Sequence, residues 1–221
     1  MTCNETLRLG HSLSLLRPTF HNGPGLRVGL WVQGCSLRCT ERCLNPHLLA
    51  SKGGYEFAVD RVSDAVLEVA QSSFRAVEGV TVLGGEPTDQ AAPLATCLSR
   101  LRRAGLSAML YSGFTLGALR GRADPGIERL LGEVDLLVDG PFIADLYDEG
   151  LAWRGSANQV IHCLSSRYDN DSLEAAFAVQ RKAFSIDLNP EGRISVSGLQ
   201  EFAGARSVEA SVTAWNGKAR G

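Results

Sequence analysis

Three cysteines, Cys35, Cys39 and Cys43, stand four residues apart in one short stretch of the chain. On an ideal helix the first and third would lie about 12 Å apart, at about 1.5 Å per residue, which is too far for one metal centre. The stretch must therefore wrap around a metal as a loop. Three thiolates fall short of the four ligands of a closed structural zinc site, whereas a cubane iron-sulfur cluster held by three cysteines leaves one iron open. The spacing therefore favours a [4Fe-4S] cluster whose open iron can bind a substrate.

Other interpretations of the cysteines stay open at this point. His47 continues the four-residue spacing and could complete a Cys3His zinc site. Three unrelated buried cysteines are the remaining alternative. Cys97 falls on an apolar helix face and Cys163 in a strand, so ordinary core packing is expected for both, while Cys3 stands near the start. Because no secretion signal is recognisable, the cluster of cysteines indicates a metal site rather than a disulfide framework.

Composition argues against several classes of partner. The chain has 221 residues, of which 44% are hydrophobic, enough for one principal domain with its own core. A formal net charge of −2 without a basic run argues against nucleic acid and against a charged membrane surface. No segment approaches the roughly 20 apolar residues of a spanning helix. We therefore expect a cytoplasmic protein that uses neither nucleic acid nor a membrane as a partner.

The elements that must position the cysteines alternate between strand and helix. Apolar residues at three- and four-residue steps predict one helix from Val59 to Ala70 and another around Leu94 to Leu101, with further helical turns between Thr115 and Leu131. Short apolar runs predict strands over Leu26 to Val32, Gly79 to Leu83, Ser107 to Tyr111 and Val134 to Val138. This order predicts an α/β fold, a partial (β/α) barrel of parallel strands with right-handed crossovers.

In such a fold the loops at the carboxyl ends of the strands form the site. Here those loops carry the cysteines, then Gly84 to Pro87, then Ser112-Gly113, and then Asp139-Gly140. We therefore expect the metal-binding and polar residues to meet on one rim of the sheet.

The carboxyl-terminal part of the chain has a different pattern. A strand is predicted over Gln159 to Leu164 and a helix near Asp171 to Gln180. Apolar residues then alternate on both sides of Asn189 to Gly192, which is typical of a β-hairpin. We therefore divide the chain into a partial-barrel domain, residues 1–167, and a helix and β-hairpin extension, residues 168–221, packed on or beside it.

Several ordered motifs between Leu13 and Leu164 carry a resemblance to a known family. They are Gly23-Pro24-Gly25-Leu26-Arg27, Val32-Gln33-Gly34-Cys35, the cysteine loop ending in Asn45-Pro46, Gly84-Gly85-Glu86-Pro87, Tyr111-Ser112-Gly113-Phe114-Thr115, Val138-Asp139-Gly140-Pro141-Phe142 and Trp153-Arg154-Gly155-Ser156-Ala157-Asn158-Gln159. Together they resemble the radical S-adenosylmethionine superfamily. Within it they are similar to the small activating enzymes of glycyl radical proteins, especially the activase type of anaerobic ribonucleotide reductase.

The resemblance implies two cofactors, a [4Fe-4S] cluster on Cys35, Cys39 and Cys43, and S-adenosylmethionine. It implies that the segment Gly84, Gly85, Glu86 and Pro87 binds the amino group of S-adenosylmethionine. Candidates for its carboxylate or ribose are Thr88 and Ser112, and Asn158 is a candidate for the adenine or ribose edge. Asp139 could position substrate or cofactor, and no catalytic side chain is expected beyond the cluster and the cofactor.

One departure from the family pattern lies in the cysteine loop itself. The usual spacing is Cys-x3-Cys-x2-Cys, often with an aromatic or apolar residue before the third cysteine, whereas this chain has an extra residue and Arg42 in that place. The extra residue is expected to change the shape of the cysteine loop where it lies beside the adenine of S-adenosylmethionine.

Three functions follow as hypotheses. The first is an activase that makes a 5′-deoxyadenosyl radical and uses it to install a glycyl radical on a partner enzyme, with an electron donor such as flavodoxin or ferredoxin. The second is a radical enzyme that modifies a peptide or a small metabolite, which the unusual spacing and the carboxyl-terminal extension suggest. The third is a non-enzymatic iron-sulfur or zinc-binding module.

Overall fold

A computed structural model describes residues 5–148, 150–179, 185–188 and 194–197. In these residues the strands are β1 (Thr6–Leu9), β2 (Pro18–Thr19), β3 (Arg27–Val32), β4 (Tyr55–Ala58), β5 (Gly79–Gly84), β6 (Ser107–Tyr111), β7 (Leu136–Asp139), β8 (Val160–Cys163), β9 (Ser185–Leu188) and β10 (Ile194–Ser197). The α-helices are α1 (Val59–Ser72), α2 (Ala91–Arg103), α3 (Leu116–Gly121), α4 (Pro125–Gly132) and α5 (Asn170–Val179). In this part of the chain no helix is both long enough and apolar enough to cross a membrane.

One mixed sheet forms the centre of the fold. Its strand order is β4-β1-β3-β5-β6-β7-β8, and β2 pairs with β3. The strands β3, β5, β6 and β7 run parallel, with Val32 opposite Gly84 and Tyr111 opposite Val138. The carboxyl ends of these four strands therefore lie side by side along one edge, as the sequence predicts.

Alternate side chains of β6 and β7 enter two different cores, because successive residues of a strand point to opposite faces. Leu110 and Leu137 pack in the core that also holds the buried faces of α1, α2 and α4. Met109 and Leu136 pack on the other face, in a smaller core that includes Trp153. Burial on both faces explains the continuous apolar runs of these strands.

The predicted helices are present in the structure. The buried face of α2 includes Leu94, Leu98 and Cys97, whose side chain is 0% exposed, so the core packing predicted for this cysteine is confirmed. The helical turns predicted after Thr115 form two helices, α3 and α4. Between them Asp124 caps α4 by accepting hydrogen bonds from two of its first backbone N–H groups.

The α/β class is confirmed, but the sheet is not parallel throughout. Strand β8, for which the sequence predicts a strand but no direction, runs antiparallel to β7, with Asp139 opposite Val160. Among the described residues between these two strands there is no α-helix. The intervening chain stays along the rim at the carboxyl end of β7, so its return into the sheet is antiparallel. Strands β1, β2 and β4, which the sequence analysis missed, are also antiparallel to their neighbours. The partial barrel stays a prediction.

The end of the sheet opposite this rim is closed by a buried arginine. Arg27 is 0% exposed and donates hydrogen bonds to Thr81 Oγ1 at 2.7 Å, Ser107 Oγ at 2.8 Å and the carbonyl of Val80 at 2.8 Å. The hydroxyl of Tyr168 joins the same network. Because the guanidinium is surrounded by acceptors, a full positive charge is tolerated inside the fold.

Beyond β8 the described residues agree with the predicted elements. Helix α5 lies where a helix was predicted, and β9 pairs antiparallel with β10, with Ile194 opposite Leu188. The predicted turn, Asn189 to Gly192, lies outside the described residues. The division into two domains stays a prediction. One expectation was wrong: Cys163 is exposed rather than packed in the core, because it ends an edge strand.

Candidate functional site

A pocket opens at the carboxyl edge of the four parallel strands. The loops after β3, β5, β6 and β7 all contribute to its wall, which confirms that they meet on one rim. Seven of the predicted site residues line it: Cys35, Cys39, Cys43, Gly84, Gly85, Glu86 and Ser112.

The cysteine stretch is a loop, as its spacing predicts, and both of its ends are fixed to each other. The backbone N–H of Gly34 donates to the carbonyl of Leu48 at 2.8 Å, and that of Cys35 donates to Leu49 at 3.3 Å. The side chain of Gln33 adds a hydrogen bond to the carbonyl of Ala50 at 2.8 Å. These bonds bring the end of the loop back beside its beginning, so the three cysteines line one pocket.

Two of the thiols already receive backbone hydrogen bonds. The N–H of Arg38 donates to Cys35 Sγ and that of Asn45 donates to Cys43 Sγ, both at 3.4 Å. N–H donors in these positions would also hydrogen-bond the sulfurs of an iron-sulfur cluster. Cys39 is exposed, and its Sγ lies 4.0 Å from the carbonyl oxygen of Phe142 on the far wall.

The donor set fits an iron-sulfur cluster. Three thiols in one pocket, two of them with N–H donors, supply the soft ligands that such a cluster requires. Among the residues that the structure describes, no three histidine, cysteine or acidic side chains converge on one metal-ion position. His47 is exposed and does not line the pocket.

Gly84 and Gly85 are explained by the neighbouring strand. A Cβ on Gly84 would lie 2.3 Å from the carbonyl oxygen of Val32, and one on Gly85 would lie 1.9 Å from that of Gly34. The backbone of Gly85 donates to Val32 and that of Glu86 donates to Gly34. The two glycines therefore let the loop after β5 lie directly against the chain that enters the cysteine loop.

Glu86 is buried and connects two loops of the rim. Its side chain accepts hydrogen bonds from the N–H and hydroxyl of Thr88, the hydroxyl of Ser112 at 2.9 Å and the N–H of Gly113 at 2.9 Å. Burial raises the pKa of Glu86, and the hydrogen bonds from Thr88, Gly113 and Ser112 oppose part of that rise. The carboxyl thus fixes the loop after β6 relative to the loop after β5.

Four predicted residues do not line the pocket. Pro87 and Thr88 are buried in the turn behind it, and the Thr88 hydroxyl donates to Glu86. Asp139 Oδ2 accepts the N–H of Leu116 at 2.6 Å and lies 3.0 Å from His162 Nε2, without the alignment of a hydrogen bond. Their cofactor-binding roles stay predictions.

Asn158, the fourth of them, lies beside the wall rather than in it. Its Nδ2 donates to the carbonyl of Pro141 at 2.7 Å, while its Oδ1 is buried without a hydrogen-bond partner. The next residue, Gln159, does line the pocket and was not predicted. It accepts from the N–H groups of Gly155 and Ser156 and donates to the carbonyl of Gly140. The structure therefore assigns Gln159 the task of holding two glycines of the wall.

Other wall residues were missed although a signal for them existed. Trp31, Leu83 and Tyr111 stand at or near the carboxyl ends of β3, β5 and β6, beside the rim, where every second side chain points to the same face of the sheet. The hydroxyl of Tyr111 donates to the carbonyl of Trp153 at 2.7 Å. Together with Leu37 and Leu49, these side chains give the pocket an apolar wall.

The chain is similar to a known protein family and to individual proteins of known name. Residues 21–162, more than half of the chain, match the family described as "4Fe-4S single cluster domain". The chain belongs to this family. It is 34% identical to the anaerobic ribonucleoside-triphosphate reductase-activating protein of Vibrio cholerae over 146 residues, which are 64% of this chain and 90% of that protein. The protein of the same name from Escherichia coli (strain K12) is 31% identical over 147 residues, 65% of this chain and 92% of that protein.

Membership of the 4Fe-4S single cluster domain family confirms the resemblance to radical S-adenosylmethionine enzymes of the activating type. It also confirms the two cofactors, a [4Fe-4S] cluster and S-adenosylmethionine. Since the family is described by a single 4Fe-4S cluster and its matched range includes the three cysteines, it favours a cluster over the zinc alternative with His47.

The buried carboxyl of Glu86 leads to a prediction about how thermal stability depends on pH. A raised pKa means that folding favours the protonated carboxyl, so its stabilising contribution is complete below the ordinary value of 4.5. That contribution is lost as the pH rises through the raised value. We expect the thermal unfolding midpoint of the wild type, relative to Glu86→Gln, to fall as the pH is raised from 4.5 towards neutrality. Calorimetry across this pH range measures it, and a constant difference would contradict the burial of an ionisable group here.

Proposed function

We propose that this protein activates a glycyl radical enzyme by removing a hydrogen atom from a backbone glycine of that partner, and that the partner is an anaerobic ribonucleoside-triphosphate reductase. The observation that supports this most is the three-cysteine pocket at the carboxyl edge of the sheet. It occurs in a chain that aligns with 90% of the length of a relative named as activator of such a reductase.

In this proposal Cys35, Cys39 and Cys43 hold the cluster through their thiolates and leave one iron for S-adenosylmethionine. When bound, the two cofactors would supply a one-electron cleavage of S-adenosylmethionine into methionine and a 5′-deoxyadenosyl radical. The protein's own task is to bind and orient the cofactor and the target glycine. An electron donor such as flavodoxin or ferredoxin is part of the proposal, because each cleavage consumes one electron.

The wall of the pocket is suited to these tasks. The backbone of Gly84 and Gly85 offers polar groups to the amino acid part of S-adenosylmethionine, and Glu86 fixes Ser112 and Gly113 beside it. The apolar side chains of the wall exclude water from a reactive radical. Gly140 lies on the opposite side, where a Cβ would meet nothing closer than 3.7 Å, so a glycine of the partner could approach closely.

Access from outside also agrees with a macromolecular substrate. Leu44, at the edge of the pocket, is 36% exposed, and Ile143 and Leu146 on the loop after β7 are 39% and 44% exposed. The ion pair between Arg42 and Asp145 joins the two segments at 2.8 Å. Arg42 belongs to the extra-residue spacing of the cysteine loop, so this unusual loop contributes to the mouth of the pocket.

The experiment uses the anaerobically reconstituted full chain. We expect about four irons per chain, as a cubane requires, and a reduced-state electron paramagnetic resonance spectrum that changes when S-adenosylmethionine is added. Incubation with an electron donor, S-adenosylmethionine and an anaerobic ribonucleoside-triphosphate reductase should then produce the doublet of a glycyl radical on the reductase. A cluster and cofactor cleavage without that doublet, accompanied by a mass change in a peptide or metabolite, would overturn the activase assignment in favour of the second hypothesis.

A further inference from the structure

The first cysteine of the loop is connected to the turn after Gly84-Gly85 by a carboxylate. Asp89 lies in the short 3-10 turn Pro87–Gln90. Its Oδ2 accepts the backbone N–H of Ser36 at 2.7 Å and its Oδ1 accepts the hydroxyl of Ser36 at 2.6 Å. Both oxygens of Asp89 are therefore engaged by the residue that directly follows Cys35.

The turn that carries Asp89 is itself fixed. The N–H of Asp89 donates to the carbonyl of Glu86 at 3.1 Å. The side chain of Gln90 donates to the carbonyls of Arg8 and Gln33 and accepts the N–H of Arg8 at 2.8 Å. The carboxylate thus extends from a turn that is fastened to the sheet, and its two hydrogen bonds position Ser36 rather than the reverse.

The three cysteines differ in how firmly they are held. Around Cys35, its own N–H is bonded to Leu49, the next N–H is bonded to Asp89, and its sulfur accepts the N–H of Arg38. Arg38, whose N–H donates to this sulfur, adopts a positive φ of 43°, which a residue with a side chain rarely adopts. Cys39, by contrast, is exposed.

We propose that Asp89 is a positioning residue for the cluster, which holds Cys35 as the preformed ligand around which the other two cysteines close. This rests on the assignment of Cys35 as a ligand under the proposed function. The carboxylate also places a negative charge on the solvent side of Cys35, where a polar groove lined by Ser36, Arg8 and Glu56 adjoins the pocket. A nearby negative charge disfavours the added electron of the reduced cluster, so Asp89 also lowers its midpoint potential.

The test compares Asp89→Asn with the wild type, both as the reconstituted holoprotein. Asparagine keeps the size of the side chain but loses the charge and one acceptor oxygen. Because groups that orient a metal ligand typically change metal affinity by about 10- to 100-fold, we expect iron to pass to a chelator about ten times faster. The midpoint potential should rise. Asp89 is exposed, so the variant should fold.

Two further variants and a matched control separate positioning from general stability. Ser36→Ala should lose iron at an intermediate rate because one of the two hydrogen bonds remains, and Ser36→Thr, which keeps the hydroxyl, should restore the wild-type rate. Asp124→Asn changes an aspartate that accepts two backbone N–H groups at the start of α4, away from the pocket. It should leave both the iron release and the potential unchanged.

Equal iron release and equal potential in Asp89→Asn and Asp124→Asn would overturn the positioning role. A wild-type protein that holds no four-iron cluster would instead overturn the ligand assignment on which the inference rests. Because both measurements need no partner, a negative result in the glycyl radical experiment does not affect them.

Discussion

Replacing Cys35, Cys39 or Cys43 singly with alanine should abolish both the cluster and the formation of 5′-deoxyadenosine. Each thiol lines the same pocket, and a three-cysteine cubane has no spare protein ligand to substitute for a lost one. Iron content and the visible absorption of the anaerobically prepared variants report on the cluster, and chromatography of 5′-deoxyadenosine reports on cofactor cleavage. The loss should be complete for all three positions, including the exposed Cys39.

The chain supplies matched controls in its remaining described cysteines. Cys163→Ala changes an exposed thiol and should alter stability by less than about 0.5 kcal/mol with the cluster intact. Cys97→Ala removes a buried thiol and should cost about 1 kcal/mol through lost packing and the lost hydrogen bond from Ser63, with the cluster intact. If Cys43→Ala kept its four irons and its turnover, the interpretation of the unusual spacing would be wrong, and His47 would be the next ligand to test.

The convergence of the site could be predicted because it depends only on strand direction. Strands β3, β5, β6 and β7 each read as a short apolar run, and each is followed within two residues by a glycine. Once such strands are parallel, their following loops must share an edge. The pocket wall therefore contains the cysteines, Gly85 and Ser112, although Cys35 and Ser112 are 77 positions apart in the sequence.

Strand direction at the edges of the sheet could not be predicted in the same way. The run before Cys163 has the composition of any strand, and its direction depends on where the chain goes after Gly140. In its described residues that stretch contains no α-helix to carry a parallel crossover, but its glycines, its aromatic residues and Pro141 do not reveal this locally. Strands β1 and β4 are only four residues long each and were missed, since their pairing with each other is a tertiary property.

The roles of polar side chains were the least predictable part of the site. Thr88 and Ser112 were candidates for contact with the cofactor, yet both hydroxyls donate to Glu86. Asp139 was a candidate for the same rim, yet it accepts the N–H of Leu116. Sequence position places a residue near the rim. The hydrogen-bond partner of its hydroxyl or carboxylate depends on the direction of the side chain, which a shift of one residue along a strand reverses. Hydrogen bonds between distant loops therefore need the structure.

The glycines of the loop after β5 allow a sharper experiment on the same geometry. Gly85→Ala places a Cβ 1.9 Å from the carbonyl oxygen of Gly34 and 2.9 Å from that of Leu48. Both contacts are with backbone atoms, and Gly34 is itself bonded to Leu48 and to Glu86. The added methyl group can be accommodated only if the loop after β5 separates from the cysteine loop. We expect about 3 kcal/mol of destabilisation, at the upper end of the usual cost of overpacking.

The same substitution should also uncouple the two halves of the site. Because the loop that carries Glu86 moves away from Cys35, the electron paramagnetic resonance spectrum should no longer change when S-adenosylmethionine is added, even in molecules that keep four irons. Gly117→Ala is the matched control: a Cβ there meets nothing within 4 Å, and alanine in a helix should raise stability by roughly 0.5–1 kcal/mol. Thermal unfolding and the cofactor-induced spectral change are measured on both variants. A Gly85→Ala protein with a wild-type unfolding midpoint and a wild-type spectral change would show that the two loops are not in backbone contact, and the arrangement of glycine loop, buried glutamate and cysteine loop would have to be abandoned as the basis of cofactor binding.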